Sequence, residues 1–344
     1  MKVLLIGGTG LISTAIVNQL VDRGDEITVY NRGVTPWRIP KTVQEIKGNR
    51  WDYPAFENQM KNLSFDAVID MVAFMPENAE SLLRAFRDRV QHLVVCSTVC
   101  VYGGPMTKLP ADDNEPHRPV GEYGKNKSKI ESILLSANGK NGLHSTVIRP
   151  SYTTGEGAEY PGLLFDNSLP DRLKQGLPVI VMDQGKAAWA VAHVSDVARA
   201  FVNSLLNPKA YGQAYHATSD EHTDWNGVYE AMAKAVGGKF NPVHIPTDWL
   251  YSQTPRRAVG VKYIYQYPSL FDNSKAKRDL GFKTTVPLVD TWKRQFTWME
   301  ETGKTKKIEE DRYEDLMIDA FRSGKKPVLP EGMDFNPWGN STTG

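Results

Sequence analysis

The sequence predicts an α/β protein with a doubly wound parallel sheet and a smaller mixed domain toward the C-terminus. Three observations predict this fold. Short, continuously apolar segments alternate with segments of helical spacing, the pattern of parallel strands covered on both faces. The first apolar segment ends in a glycine-rich turn that leads directly into a helix. The chain of 344 residues is long enough for a large domain that carries a smaller one.

The elements of the sheet follow in chain order. Apolar runs predict strands at 3–6, 27–30, 43–46, 67–69, 92–97, 145–148 and 214–218. Apolar residues at helical spacing predict helices at 11–20, 79–86, 197–206, 226–236 and 287–300. Gly24 is expected to end the first helix.

The change of pattern after Pro150 predicts a division of the chain. Residues 1–165 are expected to form the dinucleotide-binding domain, and 191–222 to return to it. Residues 166–190 and 223–330 would then form the smaller, substrate-binding domain. The polar residues 331–344 are expected to be a surface tail.

Composition excludes several classes of function. Lys plus Arg (41) nearly balance Asp plus Glu (40), giving a net charge of +1. This balance argues against a protein that coats nucleic acid or binds an anionic membrane. Cys96 and Cys100 lie in one apolar run with no second pair, so we expect core residues and no metal site. No run is long enough for a membrane span or a signal peptide, which predicts a cytoplasmic protein.

The N-terminal turn predicts a dinucleotide site. Gly7 and Gly10 lie between a buried strand and a helix that starts with Leu11 and Ile12. This arrangement places backbone N–H groups and the positive end of the helix where a pyrophosphate can bind. Ser13 stands where a third glycine is usual and is small enough for close helix–strand packing. We therefore expect Gly7, Gly10, Leu11 and Ile12 to contact the cofactor.

Residues after the second and third strands bear on the choice of cofactor. Asn31 can bond a ribose hydroxyl, and Arg32 offers a planar cation suited to a 2′-phosphate. This favours NADP, with NAD as the alternative because Arg32 could equally be a solvated loop charge. Asn49, after the third strand, is placed to touch the adenine edge, although it could simply form a turn.

Several short motifs follow one another along the chain. They are GGTG at 7–10, STVCVYG at 97–103, YGKNK at 123–127, RP at 149–150 with Gly155, HVSDVA at 193–198 and DNSKAKRDLG at 272–281. This ordered set resembles the extended short-chain dehydrogenase/reductase family, and within it the NAD-dependent epimerase/dehydratase branch. The resemblance covers most of the chain. It implies a Rossmann-type sheet, Lys127 and Pro150 beside the cofactor, and a possible homodimer.

The spacing of Tyr123 and Lys127 agrees with that resemblance on chemical grounds. Four residues apart on a helix, they share one face. The ammonium, helped by a positive nicotinamide ring, is expected to lower the pKa of the phenol from about 10, so that Tyr123 can act as a base. Thr98 would hydrogen-bond the same substrate oxygen at the carboxyl end of its strand. Thr98, Tyr123 and Lys127 are the predicted catalytic residues.

Two positions depart from the family pattern in the predicted substrate site. Family members that act on nucleotide-sugars hold the diphosphate with an Arg where this chain has Trp189, and they tend to have Asn where it has Tyr152. Neither aromatic side chain can replace bidentate phosphate contacts. A nucleotide-sugar is therefore in doubt, and a smaller sugar, polyol or hydroxy-ketone becomes plausible, with Thr98, Tyr152 and Trp189 as its contacts.

Two further groups of side chains, a pair of arginines and a set of three tyrosines, each allow two interpretations. Arg256 and Arg257 could hold an anionic substrate, but a solvated pair is at least as plausible. Tyr263, Tyr265 and Tyr267 alternate with the period of a strand and could line the substrate cleft or simply pack.

The predicted function is an NAD(P)-dependent epimerase or reductase/dehydrogenase acting on a hydroxyl-bearing carbon of a small, sugar-like or polyol molecule. The sequence does not separate these outcomes, because one Tyr/Lys/Thr set serves all of them. A nucleotide-sugar epimerase/dehydratase is an alternative. A further alternative is a non-catalytic dinucleotide-dependent regulator or RNA-binding protein, as are the similar chloroplast stem-loop RNA-binding proteins. The intact Tyr123–Lys127 pair and the lack of basic excess count against it, and no nucleic acid partner is expected.

Overall fold

A computed structural model describes residues 1–34 and 39–336 of the chain. In chain order its strands are β1 Lys2–Ile6, β2 Glu26–Asn31, β3 Gln44–Lys47, β4 Ala67–Asp70, β5 His92–Cys96, β6 His144–Pro150, β7 Tyr152–Thr154, β8 Val179–Met182, β9 Ala188–Trp189, β10 Val191–His193, β11 Gln213–Ala217, β12 Thr223–Asp224 and β13 Pro242–Ile245. Its α-helices are α1 Leu11–Asp22, α2 Tyr53–Met60, α3 Pro76–Phe86, α4 Gly121–Ser136, α5 Leu169–Gln175, α6 Val194–Ser204, α7 Trp225–Ala235, α8 Thr247–Gln253, α9 Ser274–Leu280, α10 Leu288–Glu301 and α11 Tyr313–Ser323.

The main sheet has seven strands within the described residues, in the order β11-β6-β5-β4-β1-β2-β3. All of its neighbouring strands pair in parallel. Alternate residues of the strands pack into two separate cores, one with α1, α6 and α9 and the other with α2, α3 and α4. The predicted doubly wound α/β sheet is therefore confirmed, and its continuous apolar runs reflect burial on both faces.

The strand boundaries differ from the predicted ones by a residue or two at a few places. The predicted strand at 43–46 is β3, one residue later, and it is the exposed edge of the sheet. The predicted strand at 92–97 ends at Cys96, which leaves Ser97 and Thr98 in the turn that follows β5. The second difference places two polar residues at the carboxyl edge, where ligands bind such sheets.

The remaining elements pack around an apolar core of their own, outside the main sheet. We call it the second core. It contains Trp225 and Trp292, both fully buried, together with residues of β8, α5, α7 and α10. Three small sheets, each of two strands within the described residues, pair β10 with β7, β12 with β9 and β13 with β8. The domain boundaries drawn from the sequence stay a prediction.

Two sequence interpretations fail in this region. The segment Val261–Tyr265 is a π-helical turn, so its tyrosines do not alternate as on a strand, and Tyr265 packs in the second core. Arg257 is not a solvated charge. It is buried, donates to the carbonyl of Leu164 at 2.6 Å and lies 3.7 Å from the centre of the Tyr313 ring. It therefore organises the core and is not available to bind an anionic substrate.

Part of the predicted tail is docked on the protein. Asp334 accepts hydrogen bonds from the backbone N–H groups of Arg256 and Arg257, and Phe335 packs against Tyr160. Residues 337–344 of the predicted tail lie outside the described residues. In the part of the chain that the structure covers, no helix has both the length and the apolar character needed to cross a bilayer.

A buried carboxyl group gives the second core a pH-dependent stability. Glu314 on α11 accepts a hydrogen bond from the backbone N–H of Ile180 on β8 at 2.7 Å. Burial and the nearby Asp166 raise the pKa of the Glu314 carboxyl, against the opposing effect of Arg172 and Arg257. Between the ordinary and the raised pKa of Glu314, the native state therefore keeps a proton on this carboxyl that the unfolded chain has lost. Stability must fall as the pH rises from that ordinary value to the raised one.

We expect Glu314→Gln to remove this loss, because the amide keeps an acceptor for Ile180 and cannot ionise. The free energy of unfolding of the variant, minus that of wild type, should be larger at pH 8 than at pH 5 by at least about 1 kcal/mol, which corresponds to roughly one pKa unit. Urea denaturation at both pH values measures this difference. The exposed Glu309→Gln serves as control, and an equal effect of pH on all three proteins would contradict the assignment.

Candidate active site

A cleft of about 540 Å³ opens at the carboxyl end of the main sheet. The predicted catalytic residues Thr98, Tyr123 and Lys127 line it. So do the predicted cofactor contacts Gly7, Gly10, Leu11, Ile12, Asn31, Arg32 and Pro150. The fold therefore brings together residues that lie up to 143 positions apart in the sequence, from Gly7 to Pro150.

The glycine turn allows a close approach between backbone and neighbouring side chains. Gly7 has φ +84°, and a Cβ atom there would lie 2.5 Å from Val72. Gly10 is the N-cap of α1, so the first N–H groups of that helix have no carbonyl partner within it. Ser13 is buried and packs the helix onto the sheet. Free N–H groups at a helix N-terminus fit a pyrophosphate.

The end of β2 offers polar groups to the same cleft. The Oδ1 atom of Asn31 accepts a hydrogen bond from the N–H of Gly8 at 2.9 Å and so holds the glycine turn. Its Nδ2 group is buried and has no partner among the described residues, which suits a ligand oxygen. Arg32 is exposed on the rim and forms no hydrogen bond or ion pair with residues 1–34 or 39–336. These groups fit a bound dinucleotide.

The turn after β3 differs from the prediction for Asn49. Asn49 is exposed and does not line the cleft, and its Oδ1 atom accepts a hydrogen bond from the N–H of Trp51. Its side chain thus forms a turn. The next two residues, which sequence reasoning missed, line the cleft instead. Arg50 is buried and pairs with Asp70 at 3.3 Å, and Trp51 is 42% exposed. The one sequence signal for this part of the cleft was Trp51 itself, a large aromatic residue next to a predicted turn.

The three predicted catalytic residues meet at the other end of the cleft. Thr98 caps the turn after β5, where its Oγ1 atom accepts from the N–H of Cys100 at 3.1 Å. Tyr123 and Lys127 lie one turn apart on α4. Tyr123 and Thr98 both line the cleft, and the Thr98 side chain lowers the pKa of the Tyr123 phenol. Lys127 is buried, and its Nζ atom donates to the carbonyl of Cys96 at 2.7 Å.

The electrostatics of this group differ from the sequence expectation. Burial raises the pKa of Tyr123 above its ordinary value, although the Thr98 side chain opposes this shift. Burial also lowers the pKa of Lys127, with Asp70 and Glu131 acting in the opposite direction. The ammonium is turned to the Cys96 carbonyl and lies 5.8 Å from the centre of the Tyr123 ring. In the protein alone, the phenol therefore holds its proton.

The two aromatic residues assigned to the substrate do not line this cleft. Trp189 is only 2% exposed and stacks on Trp225 with ring centres 5.2 Å apart. The hydroxyl of Tyr152 donates to the carbonyl of Gly162 at 3.2 Å, and its ring packs against Trp225. Trp189 does line a second cavity of about 30 Å³, next to Cys100 and Tyr267. No charged side chain lines that cavity among the described residues.

Comparisons with known proteins agree with this geometry. The family model described as the NAD-dependent epimerase/dehydratase family matches residues 3–217. The chain is 29% identical over 254 residues to 2′-dehydrokanamycin reductase of Streptomyces kanamyceticus, covering 74% of this chain and 72% of that protein. It is 28% identical over 305 residues to the chloroplast stem-loop binding protein of 41 kDa b of Arabidopsis thaliana, covering 84% and 76%.

A solved structure shares the fold over almost its whole length. The UDP-glucose 4-epimerase of Stenotrophomonas maltophila, with bound NAD and formylated UDP-arabinopyranose, superposes with a TM-score of 0.74. It is 19% identical, and the match covers 88% of this chain and 99% of that one. At this identity the likeness concerns the fold alone.

We expect Gly7→Ala to weaken dinucleotide binding by at least about tenfold, because the added Cβ overlaps Val72 and adds left-handed strain of about 1–2 kcal/mol. Gly24→Ala is the matched control, since Gly24 has φ +83° with nothing within 4 Å of its added Cβ. Isothermal titration with NADH and NADPH measures both variants. Equal affinities for the two variants would show that the close approach at Gly7 plays no part in binding.

Proposed function

The chain belongs to the NAD-dependent epimerase/dehydratase family, and from this premise we propose that Tyr123 is the proton-transferring residue of an epimerase or reductase acting on a sugar-like or polyol molecule. The protein is an enzyme of the oxidoreductase or epimerase type that uses a nicotinamide dinucleotide. One observation carries the assignment of Tyr123. This tyrosine lines one cleft with Thr98 and the glycine turn, one helical turn from the buried ammonium of Lys127, which lies 5.8 Å from the centre of its ring.

Each side chain has a distinct part in the proposed reaction. When bound, a nicotinamide dinucleotide supplies the hydride acceptor or donor. Tyr123 gives a proton to the substrate carbonyl or takes one from the hydroxyl group, depending on direction. Thr98, fixed by the N–H of Cys100, hydrogen-bonds the same oxygen. Lys127 holds the nicotinamide ribose and presents its positive charge to the site.

In the resting protein Tyr123 is protonated and can therefore act as a proton donor. Because burial raises the pKa of the phenol, the protein alone presents a proton donor. A donor in this position suits reduction of a carbonyl, and it also suits the second half of an epimerisation. Oxidation of an alcohol needs the phenolate, which additional positive charge near Tyr123 would favour.

The proposed substrate is a molecule with several hydroxyl groups and no phosphate group. Trp189 and Tyr152 belong to an aromatic core, and no cation lines the small cavity beside Cys100. A buried diphosphate there would lack charge-assisted partners, which is costly. The similarity to a reductase named for a dehydrokanamycin supports a glycoside without a nucleotide. A nucleotide-sugar is the alternative, supported by the names of similar epimerases.

Three further expectations stay predictions: the lack of a nucleic-acid partner, a cytoplasmic location and a homodimer. An RNA-binding role, as the name of the chloroplast relative indicates for that protein, is not favoured, because the chain has no basic excess and retains Thr98, Tyr123 and Lys127 in one cleft. A cytoplasmic location and a homodimer are predicted from the sequence and family pattern.

We propose that the cofactor is NADP(H). Arg32 lies exposed on the cleft rim directly after β2, without an ion-pair partner in the described chain, so its guanidinium is free for a 2′-phosphate. NAD(H) is the alternative, supported by the NAD bound in similar structures.

Arg32→Ala should weaken NADPH binding by roughly 1–3 kcal/mol, the cost of a lost charge-assisted contact. NADH lacks the 2′-phosphate and is the internal control, so its affinity should stay unchanged. Calorimetry with both dinucleotides gives the answer. Equal affinity of the wild type for NADPH and NADH, unaltered in the variant, would show that Arg32 does not select NADP(H).

Tyr123→Phe keeps the ring but removes the proton-transferring oxygen. We expect turnover to fall at least about a hundredfold, with dinucleotide affinity and thermal stability retained. The substrate panel comprises phosphate-free glycosides, cyclitols and their ketones together with UDP-glucose, followed by cofactor absorbance and product NMR. Tyr160→Phe, which changes an exposed tyrosine elsewhere, is the control.

The outcomes of this panel separate the proposals. A substrate turned over by Tyr123→Phe at the wild-type rate would remove Tyr123 from the mechanism. Turnover of UDP-glucose alone would replace the phosphate-free substrate by a nucleotide-sugar, with the role of Tyr123 unchanged.

A further inference from the structure

Ser97 precedes Thr98 at the carboxyl end of β5 and has no part in the function proposed above. It lines the cleft and is 3% exposed. Its backbone N–H already donates to the carbonyl of Ile148 at 2.8 Å. The polar group of its side chain, the hydroxyl, is the one that a substitution at this position can test.

The proton of that hydroxyl group is already committed. The Oγ atom of Ser97 donates to Oε1 of Glu131. Glu131 is paired with Arg149, whose Nε donates to Oε1 at 3.0 Å and whose Nη2 donates to Oε2. Both side chains of this pair are almost fully buried, at 2% and 4% exposure. A carboxylate in such a pair accepts hydrogen bonds and cannot donate them.

The Arg149–Glu131 pair is itself held in place on several sides. The Nη1 group of Arg149 donates to the hydroxyl of Tyr102 at 2.6 Å, and its Nη2 atom lies 3.1 Å from Nε2 of His117. Tyr102 in turn contacts His216 on β11. Because these partners fix Arg149, the carboxylate oxygen facing Ser97 cannot readily turn away.

This arrangement gives the Ser97 oxygen a fixed polarity. With its proton held by Glu131, the oxygen has only lone pairs left for the cleft, so it can accept a hydrogen bond there but cannot donate one. Lys127 does not fill this role, because its Nζ atom donates to Cys96 and makes no hydrogen bond to Ser97. The acceptor is therefore available to a bound molecule.

The position of Ser97 identifies which part of a dinucleotide would reach it. It lies between Cys96, whose carbonyl accepts a hydrogen bond from Lys127, and Thr98, which lines the same cleft as Tyr123. The glycine turn and Arg32 lie elsewhere on the cleft wall, at the ends of β1 and β2. Ser97 is thus at the catalytic end, where the nicotinamide–ribose half must lie for hydride transfer.

We propose that Ser97 accepts a hydrogen bond from an N–H or O–H donor in the nicotinamide–ribose half of the cofactor, and that Glu131 and Arg149 are positioning residues that impose this polarity. The donor is either the carboxamide N–H₂ group or a ribose hydroxyl. Both present the same chemistry to Ser97. This binding role is additional to proton transfer by Tyr123 and does not depend on the substrate.

The first experiment measures the affinity of wild type and Ser97→Ala for three probes by calorimetry. They are the preferred nicotinamide dinucleotide, its 3-acetylpyridine analogue, which lacks the carboxamide N–H₂, and the matching ADP-ribose, which lacks the ring. Ser97→Ala should fold normally, because Glu131 keeps both contacts with Arg149. Ser145→Ala is the matched control. Ser145 is a buried serine on β6 that does not line the cleft and whose Oγ has no partner in the described residues.

We expect Ser97→Ala to weaken the dinucleotide about three- to tenfold, the range for one net hydrogen bond. If the donor is the carboxamide, the acetylpyridine analogue and ADP-ribose will be unaffected. If the donor is a ribose hydroxyl, all three probes will lose affinity together. A Ser97→Ala variant that binds the dinucleotide as tightly as Ser145→Ala does would overturn the proposal.

The positioning role of Glu131 requires a second measurement, since Glu131→Gln also disturbs a buried ion pair. A double-mutant cycle compares Glu131→Gln in the wild-type and Ser97→Ala backgrounds. If Glu131 acts through Ser97, its substitution will weaken dinucleotide binding in the first background and have little further effect in the second. Fully additive losses would show that Glu131 supports the fold but does not set the polarity of Ser97.

Discussion

The buried ion pair between Arg149 and Glu131 is the interaction on which the Tyr123 and Lys127 end of the cleft depends. It joins β6 to α4, the helix that carries Tyr123 and Lys127. Glu131 also receives the hydroxyl of Ser97 at the end of β5. Two strands and one helix are thus locked together at one point. Such a pair is expensive to bury, but removing one partner would leave an uncompensated charge, so it specifies this arrangement strongly.

The same end of the molecule shows how burial controls the chemistry of charged groups. Lys127 is buried and Tyr123 is partly buried, and burial disfavours the charged form of each. The Lys127 ammonium donates its hydrogen bond to the carbonyl of Cys96 and none to the phenol of Tyr123. The phenol therefore keeps its proton in the protein alone. The pair alone does not generate a phenolate.

Aromatic side chains fill the core outside the main sheet. Trp189 stacks on Trp225, Tyr265 packs edge-on against both, and the guanidinium of Arg257 lies 3.7 Å from the centre of the Tyr313 ring. A charged residue in place of Trp189 would have to be buried in this core, which is costly unless it is paired. Under the proposed choice of substrate, the same packing offers no cation to a diphosphate beside Trp189 among the described residues.

The sequence by itself determined the sheet, the glycine turn and the choice of Thr98, Tyr123 and Lys127 as residues of one site. Hydrophobic periodicity, turn chemistry and the order of motifs can all be read directly from the chain. It did not determine that Asn49 forms a turn while Trp51 faces the cleft, or that Arg257 is buried. It also did not determine that 261–265 is a π-helical turn, or that Glu131 takes the proton of Ser97. Only tertiary structure decided these points, since the direction of a side chain and its burial depend on partners distant in the chain.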